Sequence, residues 1–132
     1  MKYLYAFLLV FAFSALNAQQ TVKLEEVSTH IGDTVTLKAK IFGIRQLTNA
    51  KGAPTFINLG AAYPNQLLTV VIWQDVKDKM GFDALEEKYI GGMAVVTGKL
   101  ELYNGKPQIV IRDPKQFDIL YDEEVKLSEL PR

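Results

Sequence analysis

GGMAVVTGKLELYNGKPQIVIRD, residues 91–113, alternates apolar and polar side chains on either side of a single Asn-Gly step. Ala94, Val96, Gly98, Leu100 and Leu102 fall on one face of the first arm, and Ile109 and Ile111 on the matching face of the second. A period of two marks a half-buried strand, and Asn104-Gly105 supplies the positive-φ pair that a two-residue hairpin turn needs. The stretch predicts a β-hairpin with one buried face, ended by Asp113-Pro114.

The same test works outward in both directions. TVTLKAKI (34–41) puts Val35, Leu37, Ala39 and Ile41 on one face, and Gly43 follows where a bulge would let a long strand curl. QLTNAKGAP (46–54) is a loop by its Asn, Gly and Pro content. TFINLG (55–60) reads as a short strand with Ile57 and Leu59 inward and Phe56 and Asn58 outward. After the AAYPNQ turn, LLTVVIW (67–73) is a third strand with Leu68, Val70 and Ile72 inward. Residues 75–89 change character: Asp75 can cap a helix, and the best-supported helical turns are 83–89, because Gly81 interrupts anything longer. QFDIL (116–120) can add a last extended segment. IGDTVTLKAKI (31–41) also aligns without gaps to IGGMAVVTGKL (90–100), so two strands enter after the same Ile-Gly turn.

The ends are of another kind. Lys2, the apolar run Tyr3–Leu16 and the small Ala18 have the layout of a Sec-type signal peptide over residues 1–18. The run is shorter than the ~20 residues needed to span a bilayer. With no cysteine in the chain, a lipid-anchored N-terminus and a disulfide framework are excluded. The expectation is a secreted or periplasmic protein, not membrane-spanning after cleavage. It would be one domain over 19–132, with its core at about 28–120 and an acidic, mobile tail at 121–132.

The whole chain carries 15 basic and 15 acidic residues, which argues against strong nucleic-acid binding by net charge alone. The distribution is uneven. Residues 34–74 and 89–115 together hold eight basic and two acidic residues, whereas 19–33, 75–88 and 116–132 are each net acidic. Basic strands with acidic appendages fit an anion-facing surface.

Catalysis finds little support. His30 is the single histidine, and it reads as a surface-turn residue. No phosphate-binding loop, zinc helix or nucleophile elbow occurs, and Asp75, Asp78 and Asp83 lack the spacing of a calcium loop. No enzyme activity, metal or cofactor is expected.

Three strands, a helix and two strands is the element order of the five-stranded OB-fold, a Greek-key β-barrel with one short helix between strands three and four. The runs IGDTVTLKAKIFGI, FINLGAAYPNQLLTVVIW and VVTGKLELYNGKPQIVIRDPKQF resemble secreted bacterial OB-fold domains of the nucleic-acid-binding type, over roughly residues 28–120. The YPNQ turn and the hairpin are the most specific pieces. The resemblance implies a ligand face on the outer side of strands two and three, framed by the first loop and the hairpin loop. That places Phe56, Asn58, Thr69, Val71 and Trp73 on the face, Asn49 and Lys51 in one loop, and Tyr103, Asn104 and Lys106 in the other. Single-stranded nucleic acid would be held by Lys38, Lys40, Arg45, Lys51, Lys99 and Lys106, with bases stacked on Phe56 and Tyr103. Trp73 reads first as packing beneath the helix, and Tyr63 as a brace for its turn. Nucleases with OB-like barrels set acids against a bound phosphate, but here no acid lies between Asp33 and Asp75. The alternative is a non-catalytic cell-envelope module that binds protein or glycan.

Overall fold

Residues 20–81 and 87–120 are described by the computed structural model. Eight strands lie within them: Gln20–Thr21 (β1), Thr34–Gln46 (β2), Thr55–Leu59 (β3), Leu68–Ile72 (β4), Met93–Lys99 (β5), Glu101–Tyr103 (β6), Lys106–Ile111 (β7) and Phe117–Leu120 (β8). Five of these units make the barrel, because β5 and β6 are one strand bent at Leu100. β2 pairs with β3, β3 with β4, β4 with β7, and β7 with β6, while β5 returns to β2 and closes the ring. The β4–β7 pairing is parallel and the other four are antiparallel. β1 and β8 are additions at the margins, against β2 and β5.

β2 serves two sheets. Its first half, Thr34–Lys40, pairs with β5, and Ile41–Gln46 pairs with β3, with a register shift between Ile41 and Gly43. The bulge falls where the sequence places it, and the extra residue bends the strand around the barrel. Inside, Val35, Leu37, Ile41, Ile57, Leu59, Leu68, Val70, Ile72, Ala94, Val96, Leu100, Ile109 and Ile111 are buried as their alternation predicts. Burying each large aliphatic side chain is worth about 1.5–3 kcal/mol. Gly98 holds no side chain because Ile109 fills the space, so that a Cβ there would lie 2.5 Å from Ile109 Cγ2.

The internal similarity has a geometric counterpart. β2 and β5 pair about Leu37 and Val96, so Val35 faces Gly98 and Ala39 faces Ala94. Gly32 N–H donates to Leu100 C=O at 2.8 Å, and Gly91 N–H donates to Ile41 C=O at 2.7 Å. Leu100 N–H donates to Asp33 C=O, and Ile41 N–H to Gly92 C=O, each at 2.9 Å. Gly32 and Gly91 have φ of 94° and 92°. The two aligned stretches are thus related by a local twofold axis, each glycine turn clasping the far end of the other strand.

Some expectations are corrected. The described α-helix is Gln74–Lys77 (α1), earlier than expected; Glu87–Tyr89 is a 3-10 turn, and residues 83–86 of the expected helix lie outside the described residues. Trp73 holds the N-cap position without a side-chain cap, while the Asp75 carboxylate accepts from Val76 N–H inside the first turn. Val76 and Met80 still deliver an apolar side to the core. Leu102 is 56% exposed rather than inward. It pairs with Pro107 and so keeps the parity of Ile109 and Ile111, but it sits in the short arm Glu101–Tyr103 beyond the bend at Leu100. The expected signal peptide and acidic tail lie outside the described residues. No described helix is long and apolar enough to cross a membrane.

Candidate functional site

Register alone builds two rows of outward side chains across β2, β3, β4 and β7. Arg45 stands opposite Phe56, Phe56 opposite Val71, and Val71 opposite Val110. One step along, Gly43, Asn58, Thr69 and Gln108 follow one another. The first row is apolar except for its arginine; the second carries amides and a hydroxyl. Gln66 Nε2 donates to Thr69 Oγ1 at 3.2 Å, extending the polar row.

The parallel pairing of β4 with β7 supplies a wall. It sets Lys106 beside the turn that leads into β4, where its Nζ donates to Pro64 C=O at 2.9 Å and stands 5.8 Å from the Tyr63 ring centroid. Tyr103 is the hairpin partner of Lys106, across an Asn104-Gly105 turn with φ of 50° and 75°. Tyr63 and Tyr103 are 68% and 65% exposed. Arg45 and Leu47 line the opposite end. Together these elements enclose a groove of 390 Å³ with Phe56 in its floor. Arg45 and Lys106 line it, and no carboxylate does; Glu101 lies one strand beyond Gln108. Three aromatic rings, two cations and a row of amides can stack flat rings, attract anions and read hydrogen-bonding edges.

Of the eight residues singled out from the sequence, Arg45, Phe56, Tyr103 and Lys106 meet in this groove. Lys38 and Lys40 lie on the far side of the β2 bulge and line a different groove. Lys51 sits in the loop at the other end of β3 from Lys106, and Lys99 stands opposite Thr34; neither lines either groove. Trp73 directly precedes the helix as its N-cap residue. Its ring lies over Gly52, where a Cβ would come 2.9 Å from Trp73 Cε3, and it remains 40% exposed. Tyr63, read from sequence as a turn brace, is a groove residue as well, and Gln66 and Gln108 were not singled out. The signal for Tyr63 is the β4–β7 pairing implied by the strand order, which brings its turn against the hairpin.

His30 Nδ1 lies 3.2 Å from Asp33 Oδ2 within the turn before β2, and His30 lines neither groove. Among the described residues no three His, Cys, Asp or Glu side chains gather as metal ligands.

Neither a family model nor a curated protein matches the sequence. Solved structures do match in shape. The OB domain of a Methanosarcina mazei protein superposes with a TM-score of 0.54 at 19% identity, over 79% of this chain and 85% of that one. The fold is an OB-fold. A chain of the yeast Stn1 and Ten1 structure matches this OB barrel with a TM-score of 0.57 at 5% identity, covering 83% of this chain and 67% of that one. A chain described as an aspartyl-tRNA synthetase from Leishmania major matches at 0.54 and 12% identity, over 77% of this chain but 21% of the synthetase. At these identities the likeness concerns the barrel, and the side chains that line it are this chain's own.

Proposed function

We propose that this protein binds single-stranded nucleic acid in the groove between Arg45 and Lys106, as a secreted or periplasmic, non-catalytic OB-fold module. One observation carries the reading: Phe56, Tyr63 and Tyr103 share a groove with two cations and no carboxylate. Every base offers a π face and every nucleotide a phosphate, so a groove of this composition suits a strand without demanding a sequence. Polarisation of a labelled oligonucleotide, DNA and RNA in turn, tests it at low and moderate salt. Tyr103→Ala should weaken binding by about 5- to 150-fold, since one stacked base is worth about 1–3 kcal/mol. Absence of binding by the unaltered chain at both salts would overturn the reading.

The second reading, an envelope module for protein or glycan, draws on Asn58, Asn104 and Gln108 in the same groove. Amides serve sugar hydroxyls as readily as base edges. Saturation by a neutral oligosaccharide, indifferent to salt, would favour it.

A further inference from the structure

A second groove, of 770 Å³, runs along the outer side of the first half of β2, between that strand and residues 21–25. Lys23, Lys38 and Lys40 line it with Phe42 and Met93, and Glu25 is its one acid. Phe42 and Met93 of this lining, and Leu120 opposite Met93, form an apolar cluster, each between 39% and 42% exposed. Register ties cluster and groove together, since Lys40 stands opposite Met93 and Met93 opposite Leu120.

That row ends where the chain leaves the described residues. β8 is antiparallel to β5, as β2 is, so the chain passes Leu120 in the same direction in which β2 passes Lys40 towards Phe42. Neighbouring strands lie about 4.8 Å apart, which puts Leu120 and Lys40 about 10 Å apart across β5. An extended chain advances about 3.3 Å per residue, so three residues reach that far. The next residues are Tyr121, Asp122, Glu123 and Glu124, followed by Val125 and Leu127.

We propose that the acidic segment 121–130 folds back over β5 and occupies this groove, its carboxylates against Lys23, Lys38 and Lys40 and its apolar side chains on Phe42 and Met93. Reach, sign of charge and apolar content agree on this one occupant. The groove lies across the β2 bulge from the Arg45–Lys106 site, so the proposal stands independently of the nucleic-acid reading.

The chain has no cysteine, so Ser128→Cys gives a single attachment point for a nitroxide label. In the isotope-labelled chain, paramagnetic broadening should be strongest at the amides of residues 38–42 and 91–93. It should fall off sharply at about 1 M salt, where the Debye length is about 3 Å. It should also be lost in Asp122→Lys/Glu123→Lys/Glu124→Lys and return when Lys38→Glu and Lys40→Glu are added to that variant. All these positions are exposed or outside the described residues, and a preserved amide spectrum verifies folding. Broadening that is uniform, centred on Phe56 and Tyr103, or unaffected by the charge reversal overturns the proposal. So does broadening that appears only between a spin-labelled and a separate isotope-labelled copy, which would make the occupant a second molecule.

Discussion

Thr55 carries its hydroxyl into the barrel interior, where Oγ1 is buried without a hydrogen-bond partner among the described residues. An unpaired buried polar group is a standing cost, and removing it by a near-isosteric change recovers part of that cost. Thr55→Val should therefore stabilise the fold by about 1 kcal/mol, read as a higher midpoint in urea with an unchanged slope. Gly52 presents the opposite case. Its φ is +78° and its missing Cβ would come within 2.9 Å of the Trp73 ring. Gly52→Ala should cost about 1–3 kcal/mol, and the emission of Trp73, the single tryptophan, should shift as its ring is displaced. Residues whose neighbours lie on the same or an adjacent strand were legible from alternation, as with Phe56 outward and Ile57 inward. Trp73 was not, because its packing partner is a loop glycine 21 positions earlier, which no period announces.

Among the elements, the pairing of β2 with β5 joins the two stretches that align in sequence, and it makes a quantitative demand. Gly32 and Gly91 sit at equivalent corners, with φ of 94° and 92° and nothing within 4 Å of a Cβ built at either. Alanine at each position would meet only the backbone penalty of the left-handed region, about 1–2 kcal/mol. Gly32→Ala and Gly91→Ala should thus destabilise by nearly equal amounts in parallel denaturation curves. A large difference between them would mean that one turn bears a load the other does not. Strand periods, the bulge at Gly43 and the Asn-Gly hairpin were all legible because each is a local constraint with its own residue type. Residues 83–86 of the expected helical turns lie outside the described residues, and the four residues of α1, Gln74–Lys77, are too few for a 3.6-residue period to register. Trp73 C=O and Gln74 C=O accept the N–H groups of residues 76–78 instead, without a capping side chain to mark the start.

At the scale of the whole molecule, barrel closure decides which cations act together. The sequence offers six as candidates, and counting them gives no way to see that the β2 bulge turns Lys38 and Lys40 away from Arg45. Composition shows charge but not curvature, whereas the parallel β4–β7 pairing, implied by strand order, does bring Lys106 to the groove. This separation can be measured. Neutralising Z phosphates of a single strand gives a slope of about −0.7Z in log K against log salt. If Arg45 and Lys106 are the cations that contact the strand, the slope should be about −1.4; if all six act, it should approach about −4. Arg45→Ala should bring the slope down to about −0.7, while Lys38→Ala with Lys40→Ala should leave it unchanged. A shallow slope that responds to Arg45 but not to the lysines of β2 would locate the strand in the aromatic groove. A steep slope that falls with Lys38 and Lys40 would place it on the opposite side of the bulge and leave Phe56, Tyr63 and Tyr103 to another ligand.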